Sequence, residues 1–187
     1  EIMPSLVGSE MCKETVYAYN KPIGQVCTSK DTDPDSIFRY VEFPERVNYV
    51  GRLDKDSTGL LLLTNDGDLA NEIQRSRNNH EKEYHVRVNT DITEDFIKKM
   101  SEGVEILDTV TKPCKVKKTG TRNFSIILTQ GLNRQIRRMC DALHVRVVHL
   151  KRVRIMNIRL GSLRPGEFRT LTRGEEQELR RLVQKRS

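Results

Sequence analysis

Four consecutive leucines, Leu60–Leu63, are the feature that most constrains the fold. The run is bounded by Gly59 and Asn65, and a short continuous apolar run between turn-forming residues is typical of a strand buried on both faces. Such a strand needs neighbouring strands at its edges and packed layers above and below it. We therefore expect a sheet at the core of the protein.

The remaining pattern contains more strands than helices, and the two do not alternate strictly. Strands are predicted at 16–20, 84–88, 114–118, 123–129 and within 145–160. Helices are predicted at 66–75, 93–100, 133–143 and 175–185, with a short helix after Ser36 as its N-cap. This order predicts an α+β fold with a mixed, mostly antiparallel sheet and flanking helices.

The charge of the chain is positive and unevenly distributed. Among 187 residues, 33 Lys and Arg stand against 26 Asp and Glu, for a net charge of +7. Between Gly131 and Arg164 there are nine basic residues and a single acid, Asp141. Clustered positive charge is typical of a surface that binds phosphate backbones, so we expect a nucleic-acid partner.

Cysteine usage and hydropathy exclude other classes. The four cysteines, at positions 12, 27, 114 and 140, form no C-x-x-C pair. We interpret them as buried, reduced thiols rather than as metal ligands or disulfides. No apolar run approaches the ~20 residues of a membrane span and no signal peptide opens the chain, which predicts a cytoplasmic protein without membrane association.

The stretch before the leucine run, Gly51–Gly59, carries two acids, two bases and two hydroxyls. A charged loop that leads into a buried strand is a common place for functional groups, although Asp56 and Ser57 would also suit an ordinary turn. A calcium loop is excluded because its twelfth position, which requires Glu, is Asn65. The D-x-D-x-T pattern of residues 54–58 leaves an aspartyl phosphotransferase as the alternative enzyme class.

Four motifs in order resemble those of the RNA pseudouridine synthases. Gly51-Arg52-Leu53-Asp54, followed by Ser57–Leu61, resembles the catalytic motif of that family. The others are Asn20–Gly24 with Cys27-Thr28, then Lys82-Glu83-Tyr84, and finally Gln130–Met139. The sequence is thereby identified as a member of the family, closest to the branch that modifies ribosomal RNA.

The resemblance implies three catalytic residues. Asp54 would attack the ribose C1′ or the uracil C6 of a flipped-out uridine, and Arg137 would be the cation that offsets its burial. Tyr84 would cover the base and help to remove its C5 proton, although a strand tyrosine is also an ordinary packing residue. The reaction gains and loses no atoms, so neither a nucleotide cofactor nor a metal is expected.

Further residues are expected to bind the RNA. Ile136, Met139, Cys140 and Leu143 are spaced as the core face of a helix, which leaves its arginines to meet the active site, phosphates or solvent. Arg52 and Thr58 would seat the sugar or hold the loop, and Lys82 would place a phosphate. The complete predicted RNA-binding set is Arg52, Thr58, Lys82, Lys115, Lys117, Asn133, Arg134, Arg138, Arg152 and Arg154.

The resemblance also predicts domain organisation and partners. Residues 1–14 are expected to be an extension or linker and residues 15–187 the catalytic domain, without the S4-type RNA-binding domain that relatives carry. The expected substrate is large-subunit rRNA, and the expected state is a monomer. A catalytically silent RNA-binding module would have lost Asp54, Tyr84 or Arg137, and all three are present.

Overall fold

The structure is a computed structural model, and it describes residues 13–75 and 79–184. Its strands are β1 (Val16–Lys21), β2 (Asn48–Val50), β3 (Thr58–Thr64), β4 (Lys82–Val88), β5 (Glu105–Ile106), β6 (Thr109–Val110), β7 (Lys115–Gly120), β8 (Asn123–Leu128), β9 (Val147–Ile155), β10 (Ile158–Arg159) and β11 (Phe168–Thr170). Its helices are α1 (Ile37–Tyr40), α2 (Gly67–Gln74), α3 (Glu94–Glu102), α4 (Gln135–Ala142) and α5 (Arg173–Gln184).

One large sheet organises the molecule. Its main path runs β11-β1-β3-β9-β4-β8-β7, with β2 paired to β3 and β10 paired to β9. Of the pairings in this sheet, the contact between β3 and β9 is parallel and the others are antiparallel. The predicted α+β class with a mixed, mostly antiparallel sheet is confirmed.

Strand β3 is buried on both faces, as the leucine run predicts. Leu60 and Leu62 join a core cluster with the apolar sides of α2 and α5. Leu61 and Leu63 face a second cluster that contains Tyr17 of β1 together with α1. The loop that enters β3 is therefore attached to a strand that is buried on both faces.

A third core cluster lies under β4, β8 and β9, where α3 and α4 cover one face of the sheet. Helix α4 buries Ile136, Met139 and Cys140 in this cluster, with Leu143 packed against it. The helix is amphipathic because these residues recur every three or four positions. Its first turn, with the arginines, is left beside the loop that enters β3.

The described cysteines are free thiols: Cys27 and Cys140 are buried and Cys114 is half-buried. Burial raises the pKa of Cys140 to about 12 and that of Cys114 to about 11. Cys12 lies outside the described residues. Within residues 13–75 and 79–184, no helix is long and apolar enough to cross a membrane.

Candidate active site

The loop before β3 contains a tight turn that starts at Asp54. The amide of Ser57 donates to the carbonyl of Asp54 at 3.0 Å. Two residues later Gly59 has φ +111°, a conformation that side-chain-bearing residues rarely adopt. This backbone arrangement places the Asp54 carboxylate at the edge of β3 while the strand itself enters the core.

A second segment, Lys21–Cys27, forms hydrogen bonds to this loop. Lys21 is fully buried, and its ammonium donates to the carbonyls of Ser57 at 2.7 Å and Pro22 at 2.9 Å. The amide of Gly24 donates to the carbonyl of Lys55 at 2.8 Å. Burial lowers the pKa of Lys21, with the charges of Asp54 and Asp56 among the opposing effects.

Helix α4 supports the loop from the other side through two arginines. Arg134 forms a two-pronged ion pair with Asp56 at 3.0 and 2.8 Å, and its guanidinium also lies 3.3 Å from the Asp54 carboxylate. Arg137 donates to the carbonyl of Asp56 at 2.8 Å and to the hydroxyl of Ser57 at 3.3 Å. The Arg134 hydrogen bond and the nearby Arg137 charge lower the pKa of Asp56.

A cavity of about 480 Å³ opens beside this loop. Its polar lining includes Asp54 and Arg137 at one side and Lys82, Tyr84 and Arg152 on the strands. Its apolar lining includes the side chains of Leu62, Leu128, Leu150 and Ile155. A volume in the range of ~300–1,000 Å³ with an apolar lining and a few converging polar groups is typical of a site for a small molecule or a single nucleotide.

Two cations lie on the strand wall of this cavity. Arg152 of β9 is buried, and it is the register partner of Tyr84 on β4. Lys82 of β4 is half-buried on the same side of the strand as Tyr84. Burial, followed by the repulsion of Arg152, lowers the pKa of Lys82 to about 8.

The sequence matches the RNA pseudouridylate synthase family over residues 15–142, a stretch that contains the loop, β4 and the whole of α4. The chain belongs to this family. The resemblance inferred from the four motifs is thereby confirmed.

Similar proteins of this family include enzymes that modify ribosomal RNA. The dual-specificity RNA pseudouridine synthase RluF of Escherichia coli is 53% identical over 92% of this chain, which spans 59% of that protein's length. The ribosomal large subunit pseudouridine synthase B of Bacillus subtilis is 32% identical over 91% of this chain and 74% of its own. A crystal structure of a pseudouridylate synthase superposes with a TM-score of 0.83 at 32% identity, over 91% of this chain and 74% of the other.

The three residues predicted to be catalytic all line the cavity: Asp54, Tyr84 and Arg137. The structure shows no direct ion pair between Asp54 and Arg137. The arginine that contacts the Asp54 carboxylate is Arg134, whereas Arg137 contacts Asp56 at 3.6 Å and the loop backbone. Nor is Asp54 buried, because 42% of its side chain is exposed at the cavity mouth.

Of the predicted RNA-binding set, half lines the cavity. These residues are Arg52, Lys82, Asn133, Arg134 and Arg152. Thr58 does not line it; its hydroxyl lies 3.4 Å from the Leu150 carbonyl, which favours the loop-holding role over the sugar-seating one. Lys115 and Lys117 are exposed on the edge strand β7, and RNA binding by them stays a prediction.

Two residues of the predicted RNA-binding set have protein partners, and a third lies in the cavity wall. Arg154 forms ion pairs with Glu81 at 3.1 Å and Glu83 at 2.9 Å and is not a free cation for a phosphate. Arg138 donates to the backbone and side chain of Asn133 at 2.9 and 2.8 Å. Arg152, expected to bind the RNA backbone, lies in the wall of the cavity instead, because it is a buried residue on a central strand.

Arg180 and Arg181 of helix α5 form ion pairs with neighbouring acids. The guanidinium of Arg180 pairs with Asp66, the N-cap of α2, at 2.8 Å and with Glu176 at 3.1 Å. Arg181 is exposed and pairs with Glu178. Lys185 and Arg186 lie outside the described residues.

Sequence reasoning assigned no site role to two charged residues of this loop region, Asp56 and Lys21. The available signal for Asp56 was its position two residues after Asp54 in a loop also rich in bases. Lys21 belongs to the first motif, but nothing in its neighbourhood indicates that its ammonium is buried under a loop 36 residues away. Long-range pairing of this kind depends on the fold and is not visible in local patterns.

Proposed function

We propose that this chain isomerises a uridine to pseudouridine in RNA, with Asp54 as the catalytic carboxylate. The observation that carries the proposal is the position of Asp54, at the mouth of a nucleotide-sized cavity and oriented by Arg134 at 3.3 Å. Tyr84 lies in the same cavity, where its ring can cover a pyrimidine. Family membership supports the reaction class.

The isomerisation balances without a co-reactant. The C1′–N1 bond breaks, the uracil turns, and a C1′–C5 bond forms while C5 loses a proton and N1 gains one. A carboxylate assists by attacking the ribose C1′ or the uracil C6, and it is released when the new bond forms. Asp54 supplies that carboxylate, and Tyr84 lies where it can assist removal of the C5 proton.

The uridine has to leave its stack to reach this site. Because Asp54 lies where a cavity meets a β-strand edge, a base within a duplex cannot reach it without extrusion. The half-apolar lining replaces the stacking that an extruded base loses, and the polar groups near Asp54 meet the sugar. Arg52, which lines the cavity next to Asp54 in sequence, is proposed to contact the nucleotide at the mouth.

The sheet face turned away from Tyr84 and Arg152 is basic, and it favours an RNA that extends beyond the cavity. On strands β7, β8, β4 and β9, the register aligns Lys117, Ser125, His85 and Lys151 in one transverse row. Neighbouring rows on that face add exposed bases, of which Arg87 and Lys115 are examples. At ~4.8 Å between strands the row spans roughly 14 Å, a distance suited to contact with several phosphates.

Ribosomal RNA of the large subunit is the substrate that we propose. The support is 53% identity to RluF and 32% identity to a synthase named for the large ribosomal subunit. Such a substrate would place the protein in the cytoplasm. We propose a monomer acting on one RNA, a state that light scattering of the purified protein would test.

Tritium release from 23S rRNA transcribed with 5-³H-uridine tests the proposed activity. Each pseudouridine formed releases the hydrogen of C5, so the wild type is expected to release tritium and Asp54→Ala is not. Release should continue in EDTA, whereas a magnesium-dependent phosphotransferase would release no tritium with or without EDTA. Absence of release by the wild type, with retained RNA binding, would instead favour the silent RNA-binding module.

A further inference from the structure

Arg152 is a buried cation without a counter-ion among the described residues. It is 3% exposed, and its Nε donates to the Leu60 carbonyl at 2.8 Å while Nη1 lies 3.4 Å from the Arg52 carbonyl. Its Nη2 is buried and has no hydrogen-bond partner in the described part of the chain. A buried unpaired charge is costly, so its presence in a cavity wall points to a group that arrives with a ligand.

Lys82 is the second unpaired cation on that wall. Its ammonium makes no hydrogen bond or ion pair to any residue of 13–75 or 79–184. The register pairs Tyr84 with Arg152 and Lys82 with Ile155, so the two cations and the Tyr84 ring share one side of adjacent strands. Lys82 and Arg152 repel each other, and a negatively charged ligand between them would relieve the repulsion.

The lining around these two cations favours a heterocycle over a phosphate. The side chains of Leu128, Leu150 and Ile155 line the same cavity, and apolar walls suit the faces of a pyrimidine ring. A phosphate would have to give up most of its hydration at such a wall. The edge of a uracil ring, in contrast, carries two carbonyl oxygens that can accept hydrogen bonds from cations.

Negative charge develops on uracil during the proposed isomerisation. When the C1′–N1 bond breaks, its electron pair remains on the base and spreads over N1, O2 and O4; attack of a carboxylate on C6 likewise moves charge onto O4. The charge disappears when C5 bonds to C1′, loses its proton, and N1 is protonated. Groups that bind the charged base more strongly than the neutral one accelerate the reaction.

We propose that Arg152 and Lys82 hold the carbonyl edge of the extruded uracil and stabilise the negative charge that it acquires when the glycosidic bond breaks. This inference rests on the proposed function. It assigns the two residues a catalytic role, whereas the sequence predicted a phosphate contact for Lys82 and RNA binding for Arg152. Asp54 then acts on one side of the nucleotide and the two cations on the other.

Lys82→Met and Lys82→Arg test the inference in single-turnover tritium release from 5-³H-uridine-labelled 23S rRNA. Lys82→Met is expected to lower the rate constant at saturating protein about 100-fold, the scale found for loss of one charge-stabilising donor. Its Kd for the RNA should stay within about twofold, because the charge appears only after binding. Its melting temperature should not fall, since the substitution removes a cation from a partly buried site.

The pH dependence of the rate distinguishes an effect of the Lys82 charge from an effect of the side chain's shape. The charged and titratable groups that line the cavity with Lys82 are Arg52, Asp54, Tyr84, Arg134, Arg137 and Arg152. The wild-type rate at subsaturating protein, which reports groups of the free protein, is expected to fall as pH rises through about 8, where Lys82 loses its proton. Lys82→Arg keeps its charge and should retain its rate to pH 9.

The outcomes distinguish a failure of this inference from a failure of the proposed function on which it rests. Wild-type release with an equal rate for Lys82→Met would overturn the inference and leave the proposed function standing. A raised Kd with an unchanged rate constant would also overturn it, in favour of a phosphate contact. Absence of release by the wild type would overturn the proposed function and the inference together.

Discussion

Gly59 shows how a single residue positions the active-site loop. A Cβ at this position would lie 2.2 Å from the backbone oxygen of Arg152, and φ is +111°. Gly59→Ala is therefore expected to lower the free energy of unfolding by about 3 kcal/mol, through strain and forced separation of β3 and β9. Urea unfolding measures the change.

Gly161 supplies the matched control for that substitution. It also has a positive φ, +58°, but a Cβ there would meet no atom within 4 Å. Gly161→Ala should cost only the conformational strain, about 1 kcal/mol. Equal losses for the two variants would show that the close approach of β3 to β9 does not contribute.

At the scale of single residues, the sequence predicted the identities of the site residues better than their contacts. The motifs identified Asp54, Tyr84 and Arg137, and all three line one cavity. They did not reveal that Arg134 rather than Arg137 meets Asp54. Both arginines lie in or beside the first turn of α4, and the residue that reaches the carboxylate depends on the αL backbone of Arg134, with φ 47°. That conformation is set by packing and is rare for arginine.

Helix α5 is stabilised by hydrogen bonds and an ion pair at its N-terminus. Thr172 and Glu175 form a capping box: each side chain accepts a hydrogen bond from the backbone amide of the other, at 3.1 and 2.8 Å. Glu175 also pairs with Arg169 of β11 at 2.7 Å, which joins the helix to the sheet edge. The Arg169 hydrogen bond is the main cause that lowers the pKa of Glu175 to about 2.

Glu175→Gln isolates the charge because glutamine can still accept the Thr172 hydrogen bond. The pKa of Glu175 is depressed in the folded state, so its stabilisation is complete above the usual value of 4.5 and is lost as pH falls towards 2. The variant should be about 1 kcal/mol less stable than wild type at pH 7. Urea unfolding at pH 7 and pH 3 should show that this difference shrinks in acid; a constant difference would refute the assignment.

The elements recovered from sequence are those with strong periodicity or clear caps. Strand β3, helices α2, α3 and α4, and the N-cap Ser36 occur as predicted, within a few residues at the ends of the elements. The short strands β2 and β11, of three residues each, were not predicted. Strands of that length carry too few residues for an alternating pattern, and pairing with β3 and β1 defines them. Helix α5 begins two residues before the predicted start because the Thr172 cap was not recognised.

At the scale of the whole molecule, the two faces of the β4–β8–β9 sheet region differ in charge. One face packs against α3 and α4, and the other presents exposed bases, Lys117 and Arg87 among them. These two bases lie outside the basic stretch of residues 131–164 that the sequence shows, and their position on one face follows from strand register, which composition does not contain. Strand register also explains why Arg152, which belongs to the basic stretch of residues 131–164, lies in the cavity.

Lys117→Glu tests whether this face binds RNA. The substitution should weaken binding to a 23S rRNA transcript and reduce the slope of log K against log salt by about 1, because one phosphate contact is lost. Lys98→Glu is the matched control: it changes the net charge equally but lies exposed on α3, across the sheet. Fluorescence anisotropy titrations between about 50 and 200 mM salt give the slope for each variant. Identical slopes for the two variants would exclude a specific role for the face.

The most direct test of the active-site assignment compares two carboxylates of one loop, both in contact with Arg134. Pseudouridine formation in 23S rRNA would be measured at single turnover for Asp54→Asn and Asp56→Asn. Asp54→Asn is expected to form no detectable product. Asp56→Asn, which only loosens the hold of Arg134 on the loop, should remain active and be at most about 100-fold slower. Product formation by Asp54→Asn, or its abolition by Asp56→Asn alone, would contradict the assignment of Asp54 as the catalytic residue.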